Sequence, residues 1–301
     1  MSAADAGSGA EASARLRFGL TEVERWACFS GDYNPIHFDR AQARRVGADA
    51  LIVHGMLALL SVKSHVATQS LEGPTDWARF KALLRTPIPH ATTTSLRSWA
   101  AVGGLQFRVE EDCAGGREYF RGRYVAIDAP PIHEGESLAR TELSAGQFDQ
   151  FYRAYGQDHA TWSVLDCVVF ADFMRTKVAM LQAYLQPQVK RVSDLGDSLT
   201  VHVSHSVCFV RDDFAADNAH LGERGFAYDV LVPEVINNHD HLICNLNMPV
   251  RTQGRTSMVI ELGLMLKHFV EVEPASLLRT RAAAASTPHA FPPPPPAKTL
   301  L

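Results

Sequence analysis

The sequence predicts an α+β fold in which one plan, a buried helix followed by an antiparallel meander, is used twice. Three observations carry this. The stretch "LIVHGMLALLSVKSHVATQSL" crowds Met56, Leu57, Leu59, Leu60 and Val62 onto most sides of one helix, which then has to be buried. The hydrophobic period next changes towards two in "FKALLRTPIPHATTTSLRSWAAV", "LQFRVEEDC" and "REYFRGRYVAID", with Gly103-Gly104 and Gly115-Gly116 as turn signals between them. The same order then begins again in the second half of the chain. A helix laid on antiparallel strands is an α+β unit.

Taken in order, "MSAADAGSGAEASAR" is small and polar with Asp5 and Glu11, so residues 1–15 are expected to be disordered and carry neither signal nor transit peptide. "LTEVERWACFSG" is helical, since Leu20, Val23, Trp26 and Ala27 recur at three- and four-residue spacing. A loop follows, and Asp39 with Gln42 reads as a capping box for a short helix through "RAQARRVG". The buried helix and its meander complete a first domain, residues 16–128.

Residues 129–142, rich in proline, glycine and charge, read as a linker. In the second domain, residues 143–273, "LSAGQFDQFYRAYGQD" repeats the opening helix and its Gly-Asp loop. "VVFADFMRTKVAMLQAYL" supplies an amphipathic helix with Phe170, Phe173, Met174, Val178, Leu181 and Leu185 on one side. Strands follow in "LTVHVSHSVCFVR", "GFAYDVLVPEVINN", "HLICNLNMPVRTQ" and "RTSMVIELGLMLKHFVEV". Residues 274–301 hold a proline run and are expected to be a disordered tail.

Bulk properties narrow the function. The chain has 301 residues, which fits two domains of roughly 150 residues. Lys and Arg total 29 against 33 Asp and Glu, so nothing suggests a nucleic-acid or anionic-membrane partner. No apolar run approaches the roughly 20 residues of a membrane span. The five cysteines are scattered without paired spacing, which fits buried thiols in the cytoplasm better than a zinc ribbon or a disulfide framework.

One short stretch stands apart. "FSGDYNPIHFD" places Asp32 and His37 around Asn34-Pro35, and proline biases its predecessor to extended backbone. Such a loop can aim a carboxylate and an imidazole at one water molecule, a general acid/base pair if burial tunes both towards neutrality. Asn34 either holds the loop or orients a donor. In "VHGM", Gly55 stands at the start of the buried helix, where free N–H groups and the dipole favour negative charge. Its missing side chain lets a carbonyl oxygen reach that N–H. Acid, base and oxyanion donor suit proton chemistry beside a thioester, that is, water added or removed across an α,β double bond. Tyr33, Asn34, His54 and Met56 are the candidate substrate-binding residues. His54 either orients the loop or packs.

These two blocks resemble the signature of the MaoC-like, (R)-specific enoyl-CoA hydratase (hydratase 2) family. The matching letters are Ser30, Gly31, Asp32, Asn34, Pro35, His37 and Asp39, then His54, Gly55 and Met56. The resemblance implies a hot-dog fold, a long helix wrapped by an antiparallel sheet, here in tandem. It implies catalytic roles for Asp32, His37 and Gly55, and an acyl-CoA or acyl carrier protein thioester as substrate. No metal or redox cofactor is implied, and a homodimer or pseudo-dimer is expected. It is strong over residues 18–65, weaker to about 127, and departs at His90-Ala91, where a Gly-Asp is usual. The C-terminal half carries no such motif, having Gln157 where the first half has Asp32 and Trp162 where it has His37.

Two other readings of function stand beside the hydro-lyase: a non-catalytic acyl-binding or scaffolding protein of a biosynthetic assembly, and a thioesterase on the same fold. Other features have plain explanations. "NNHDHLIC" reads as an exposed turn, since no third ligand accompanies His239 and His241. His202 and His205 fall on opposite faces of a regular strand and read as structural. Arg44-Arg45 is either solvated charge or a grip on the carrier's phosphates.

Overall fold

Two buried helices lie against one ten-stranded antiparallel sheet whose strand order is the same plan read from either edge. The computed structural model describes residues 12–267, except residues 72, 132–134, 189–198, 216–217, 219 and 238–240. The expected tail at 274–301 and the His239-Asp240 pair lie outside the described residues.

In the first half the strands are β1 (Ala12–Arg17), β2 (Trp77–Leu84), β3 (Thr93–Ala101), β4 (Gly104–Glu111) and β5 (Glu118–Ile127). In the second they are β6 (Glu136–Glu142), β7 (Leu199–Val210), β8 (Phe226–Asn237), β9 (His241–Thr252) and β10 (Arg255–Lys267). The sheet runs β1-β3-β4-β5-β2-β7-β10-β9-β8-β6, so each strand of one half has its counterpart at the mirrored place in the other. The halves join where β2 pairs with β7, from Trp77↔Val210 to Leu83↔Ser204. The repeat noticed as element order in the sequence is thus a repeat of topology. This is the α+β, hot-dog arrangement.

Two corrections concern the edges. β1 begins at Ala12, inside the segment expected to be disordered, and pairs with β3 from Ala12↔Ser98 to Arg17↔Thr93. β6 occupies part of the expected linker and pairs with β8. Both are edge strands with few large apolar residues, so the apolar pattern that reveals a central strand is weak in them.

The helices are α1 (Leu20–Ser30), α2 (Arg40–Arg45), α3 (Gly55–Ala67), α4 (Ala145–Tyr155), α5 (Thr161–Thr176) and α6 (Val178–Leu185). α3 buries Met56, Leu57, Ala58, Leu59, Leu60, Val62, Lys63 and Val66, as an all-round apolar helix has to. The long amphipathic helix read at residues 168–185 is two helices, broken at Lys177. At α2, Asp39 accepts the Ala41 N–H at 2.7 Å, but Gln42 does not complete a box; it accepts a bond from Arg45 instead. No helix among the described residues is long and apolar enough to cross a membrane.

The second half lacks the space for a copy of the loop. The first half spends residues 31–54 between α1 and α3, whereas residues 156–160 suffice between α4 and α5. Trp162 therefore does not replace His37. It sits in the first turn of α5 and stacks on Phe209 at 4.9 Å and on Tyr124 at 6.0 Å, filling the seam between the halves. A buried tryptophan removes about 150–250 Å² from water, so this position serves packing.

Candidate active site

The loop that carries Asp32 and His37 is fixed at both ends and in its middle. α1 ends at Gly31, whose φ of 73° is left-handed and whose N–H donates to the Ala27 carbonyl at 2.8 Å. A Cβ at Gly31 would run into Arg175 of α5. That arginine donates to the carbonyls of Cys28, at 3.1 Å, and Phe29. It thereby satisfies and neutralises the negative end of α1. The glycine of the motif is required by conformation and by this contact.

Next, Ser30 Oγ donates to the Trp26 carbonyl at 2.8 Å and accepts the Asp32 N–H at 3.1 Å. Asp32 Oδ1 accepts the Asn34 N–H at 3.3 Å, an Asx turn. Asn34 caps the 3-10 turn Pro35–His37 through its Oδ1 and donates from Nδ2 to the Thr200 carbonyl of β7 at 2.6 Å. Of the two roles open to Asn34, the structure supplies the loop-holding one. It ties the loop to the second half.

Two histidine tautomers are set by backbone carbonyls. His37 Nδ1–H donates to the Ile52 carbonyl at 2.9 Å, and His54 Nε2–H donates to the Asp32 carbonyl at 2.9 Å. The lone pairs are therefore on His37 Nε2 and His54 Nδ1. The two rings stack with centroids 3.6 Å apart. His90 Nε2–H adds a second bond to the Ile52 carbonyl at 3.0 Å. His54 is 1% exposed and lies behind the loop, which it orients and packs against.

Burial shapes the proton affinities. It pushes His37 down to about 4, against the bond to Ile52, and His54 down to about 3, with His37 adding to the effect. Burial also raises the Asp32 carboxyl above its ordinary range, opposed by His54 and the Asn34 N–H. Burial thus favours the neutral imidazole and the protonated carboxyl, a base beside an acid. One ligand-type atom from each of Asp32, His37 and His54 lies within 4.8 Å of the others. The same convergence would suit a metal ion or a shared water.

A stability prediction follows. A histidine whose folded pKa lies below its unfolded value takes up its proton more readily when unfolded. Stability is full above about pH 6.5 and falls as the pH drops towards 4. His37 alone, from 6.5 to about 4, contributes a loss of about 3 kcal/mol. Thermal unfolding from pH 7 to pH 4 should show this drop, and His37→Gln should reduce it; a flat profile would refute the buried neutral imidazole.

Asp32, Asn34, His37, Gly55 and Met56 line one cleft of about 220 Å³. Gly55 opens α3, so its N–H faces outward without an intrahelical acceptor. A Cβ there would meet Leu84 Cδ2 at 2.6 Å and His202 Nδ1 at 3.1 Å. Apolar walls come from both halves: Leu84 and Phe120 from the first, Phe170, Met174 and Leu264 from the second. Tyr33 is 63% exposed, stacks on Phe38 and does not line the cleft. His54 also stands outside its lining.

Sequence reasoning missed Arg175, Thr200, His90 and His202. It placed His202 and His205 on opposite faces. The register of β7 against β10 slips there, from Ser204↔Gly263 to His202↔Leu264, leaving Val203 as an extra residue. The bulge brings both imidazoles to one face, with ring centroids 5.3 Å apart.

The chain is similar to known proteins over parts of its length. Residues 3–101 match the model of the MaoC like domain. An (R)-specific enoyl-CoA hydratase from Aeromonas caviae is 42% identical over 73 residues, 24% of this chain and 54% of that protein. The chain thus spans about half the length of this curated relative. Among solved structures, one described as a MaoC-like dehydratase covers 87% of this chain and 98% of its own at 12% identity and a TM-score of 0.47. An (R)-hydratase from A. caviae involved in PHA biosynthesis covers 40% of this chain and 96% of its own, at 25% identity and a TM-score of 0.31. These likenesses are confined to the N-terminal part of the chain for the family model and the curated relative.

Proposed function

We propose that this MaoC-like chain is a hydro-lyase that hydrates 2-enoyl thioesters in the (R) sense, or dehydrates 3-hydroxyacyl thioesters in reverse. The observation that carries the reading is that Asp32 and His37, from the loop after α1, and Gly55, at the start of α3, line one cleft. The likeness to an (R)-specific enoyl-CoA hydratase supports the same chemistry and its stereochemical sense.

In the hydration direction, a water molecule lies between the Asp32 carboxyl and the lone pair on His37 Nε2. Neutral His37 accepts the water's proton as its oxygen attacks C3. The raised Asp32 carboxyl donates a proton to C2, and the pair is restored when the proton passes from His37 to Asp32. The Gly55 N–H holds the thioester oxygen as it gains enolate character, where a donor of this kind contributes about 3 kcal/mol. All the groups needed are side chains and one amide of this chain.

We further read the chain as two hot-dog domains, residues 16–128 and 143–273, with the first extended to Ala12 by β1 and the second by β6. The pairing of β2 with β7 supports a pseudo-dimer within one chain. The second domain supplies walls and anchors for the first one's loop. The acyl group would arrive on CoA or an acyl carrier protein, which fits a cytoplasmic location.

The test follows loss of the conjugated enoyl absorbance of a short and a long 2-enoyl-CoA, with free thiol assayed in parallel. Loss of absorbance without thiol supports the hydratase; thiol release points to a thioesterase, and no change with either to a non-catalytic binder. Asn34→Ala should cost about 1 kcal/mol in denaturant titration through the lost bond to Thr200. It should lower turnover by up to about 100-fold, because the loop loses its hold on Asp32 and His37.

A further inference from the structure

The proposed mechanism gives no task to one imidazole of the cleft. His202, on β7 of the second half, lines the same cleft as Asp32 and Gly55. Its Nε2–H donates to the Ser204 carbonyl at 3.0 Å, so the lone pair is on Nδ1. That Nδ1 is buried and has no hydrogen-bond partner. It also comes within 3.1 Å of where a Gly55 Cβ would stand. The ring is held by Phe170, stacked at 6.0 Å, and by His205 at 5.3 Å. A buried acceptor is costly to leave unpaired, so a ligand that fills the cleft is expected to bring a donor to it.

The chemistry of the substrate narrows what that donor is. A 2-enoyl group carries no N–H or O–H, and the hydroxyl of a 3-hydroxyacyl group belongs at Asp32 and His37. Beside a carbonyl held at Gly55, the nearest donor is on the thiol side. It is the amide N–H two methylenes beyond sulfur, present in every pantetheine thioester whether on CoA or on a carrier protein. We propose that His202 is a substrate-binding residue whose Nδ1 accepts this amide N–H, so that the second half reads the pantetheine arm while the first half does the chemistry. This rests on the hydro-lyase reading and extends it to the half that lacks a catalytic loop. The bulge at Val203 is the device that turns the imidazole inward.

The experiment compares two saturated thioesters that bind without turnover: butyryl-N-acetylcysteamine, which keeps the amide, and S-ethyl thiobutyrate, which lacks it. In protein labelled with ¹⁵N-histidine, the His202 Nδ1 resonance is assigned by its loss in His202→Phe, which keeps the ring shape. The expected result is an upfield shift of that resonance with the amide-bearing thioester alone. Kinetics supply the second arm. With 2-butenoyl-N-acetylcysteamine, His202→Phe should raise KM about tenfold with kcat little changed. His202→Asn, which keeps an acceptor, should recover part of it, and KM for the S-ethyl analogue should not move. Equal shifts with both thioesters, a shift with neither, or an equal KM change on both substrates would overturn the proposal. The resonance needs no turnover, so an inactive wild type counts against the hydro-lyase reading and leaves the His202 result to be read separately.

Discussion

Asp32→Asn is expected to lower the hydration rate by about 10²–10⁴-fold while leaving the protein folded and slightly more stable. The two effects have one cause. Burial raises the Asp32 carboxyl above its ordinary range. A carboxyl whose folded pKa exceeds its unfolded value is favoured by folding only while protonated, and its contribution is lost as pH rises above the unfolded value near 3.9. At neutral pH the residue therefore weakens the fold. Asparagine has the same shape, and its Oδ1 keeps the bond that Asn34 N–H makes to the carboxyl. It removes the charge and the acidic proton together. A stability gain beside a loss of turnover is the signature of a residue kept for chemistry. Measured side by side, melting temperature and enoyl-CoA hydration should move in opposite directions. Full activity in the variant would sink the proposed mechanism, and a lower melting temperature would mean that Asp32 is a structural cap.

Much of this site was legible because it is local. Asp32, Asn34 and His37 are neighbours in one loop whose turn chemistry can be read from the letters, and Gly55 follows at the start of the most apolar helix. The buried helices and central strands announced themselves through periodicity for the same reason: the information lies within ten or so residues. The remainder depends on pairings between distant segments. Arg175 meets α1 and Thr200 meets Asn34 only because the halves join across β2 and β7. His90 reaches the Ile52 carbonyl through an isolated bridge between Ile52 and Pro89. The inward turn of His202 comes from one extra residue in a strand, and a bulge carries no mark in the letters around Val203. Tyr33 fails for the converse reason. Proximity in sequence to the candidate catalytic residues suggested a contact, but the turns over residues 31–34 leave its ring on the solvent side.

The second large effect concerns a cluster of residues that lie far apart in the chain. Lys63 on α3, Asp166 on α5 and His205 on β7 form a fully buried network beneath the cleft, with Lys63 paired to Asp166 and His205 Nε2–H 3.0 Å from both carboxylate oxygens. Burial would raise the Asp166 carboxyl, but His205 and Lys63 override it and hold it at about 2. Asp166→Ala should destabilise the protein by about 3–5 kcal/mol, because it strands the Lys63 charge in the core. The pH dependence has a fixed sign. A depressed carboxyl contributes stability that is full above its unfolded value near 3.9 and lost as pH falls towards 2, so the variant should lack that acid transition. Breaking a buried pair and replacing it are different acts. Lys63→Met with Asp166→Leu leaves no uncompensated charge and should recover most of the loss in denaturant titration. Lys63 lies two turns along the helix that Gly55 opens, so the pair also fixes where α3 stands relative to the second half. If the double variant regains stability but loses turnover, the ion pair is retained for placing the Gly55 amide. If it regains both, apolar packing positions α3 equally well and the pair is dispensable to the chemistry.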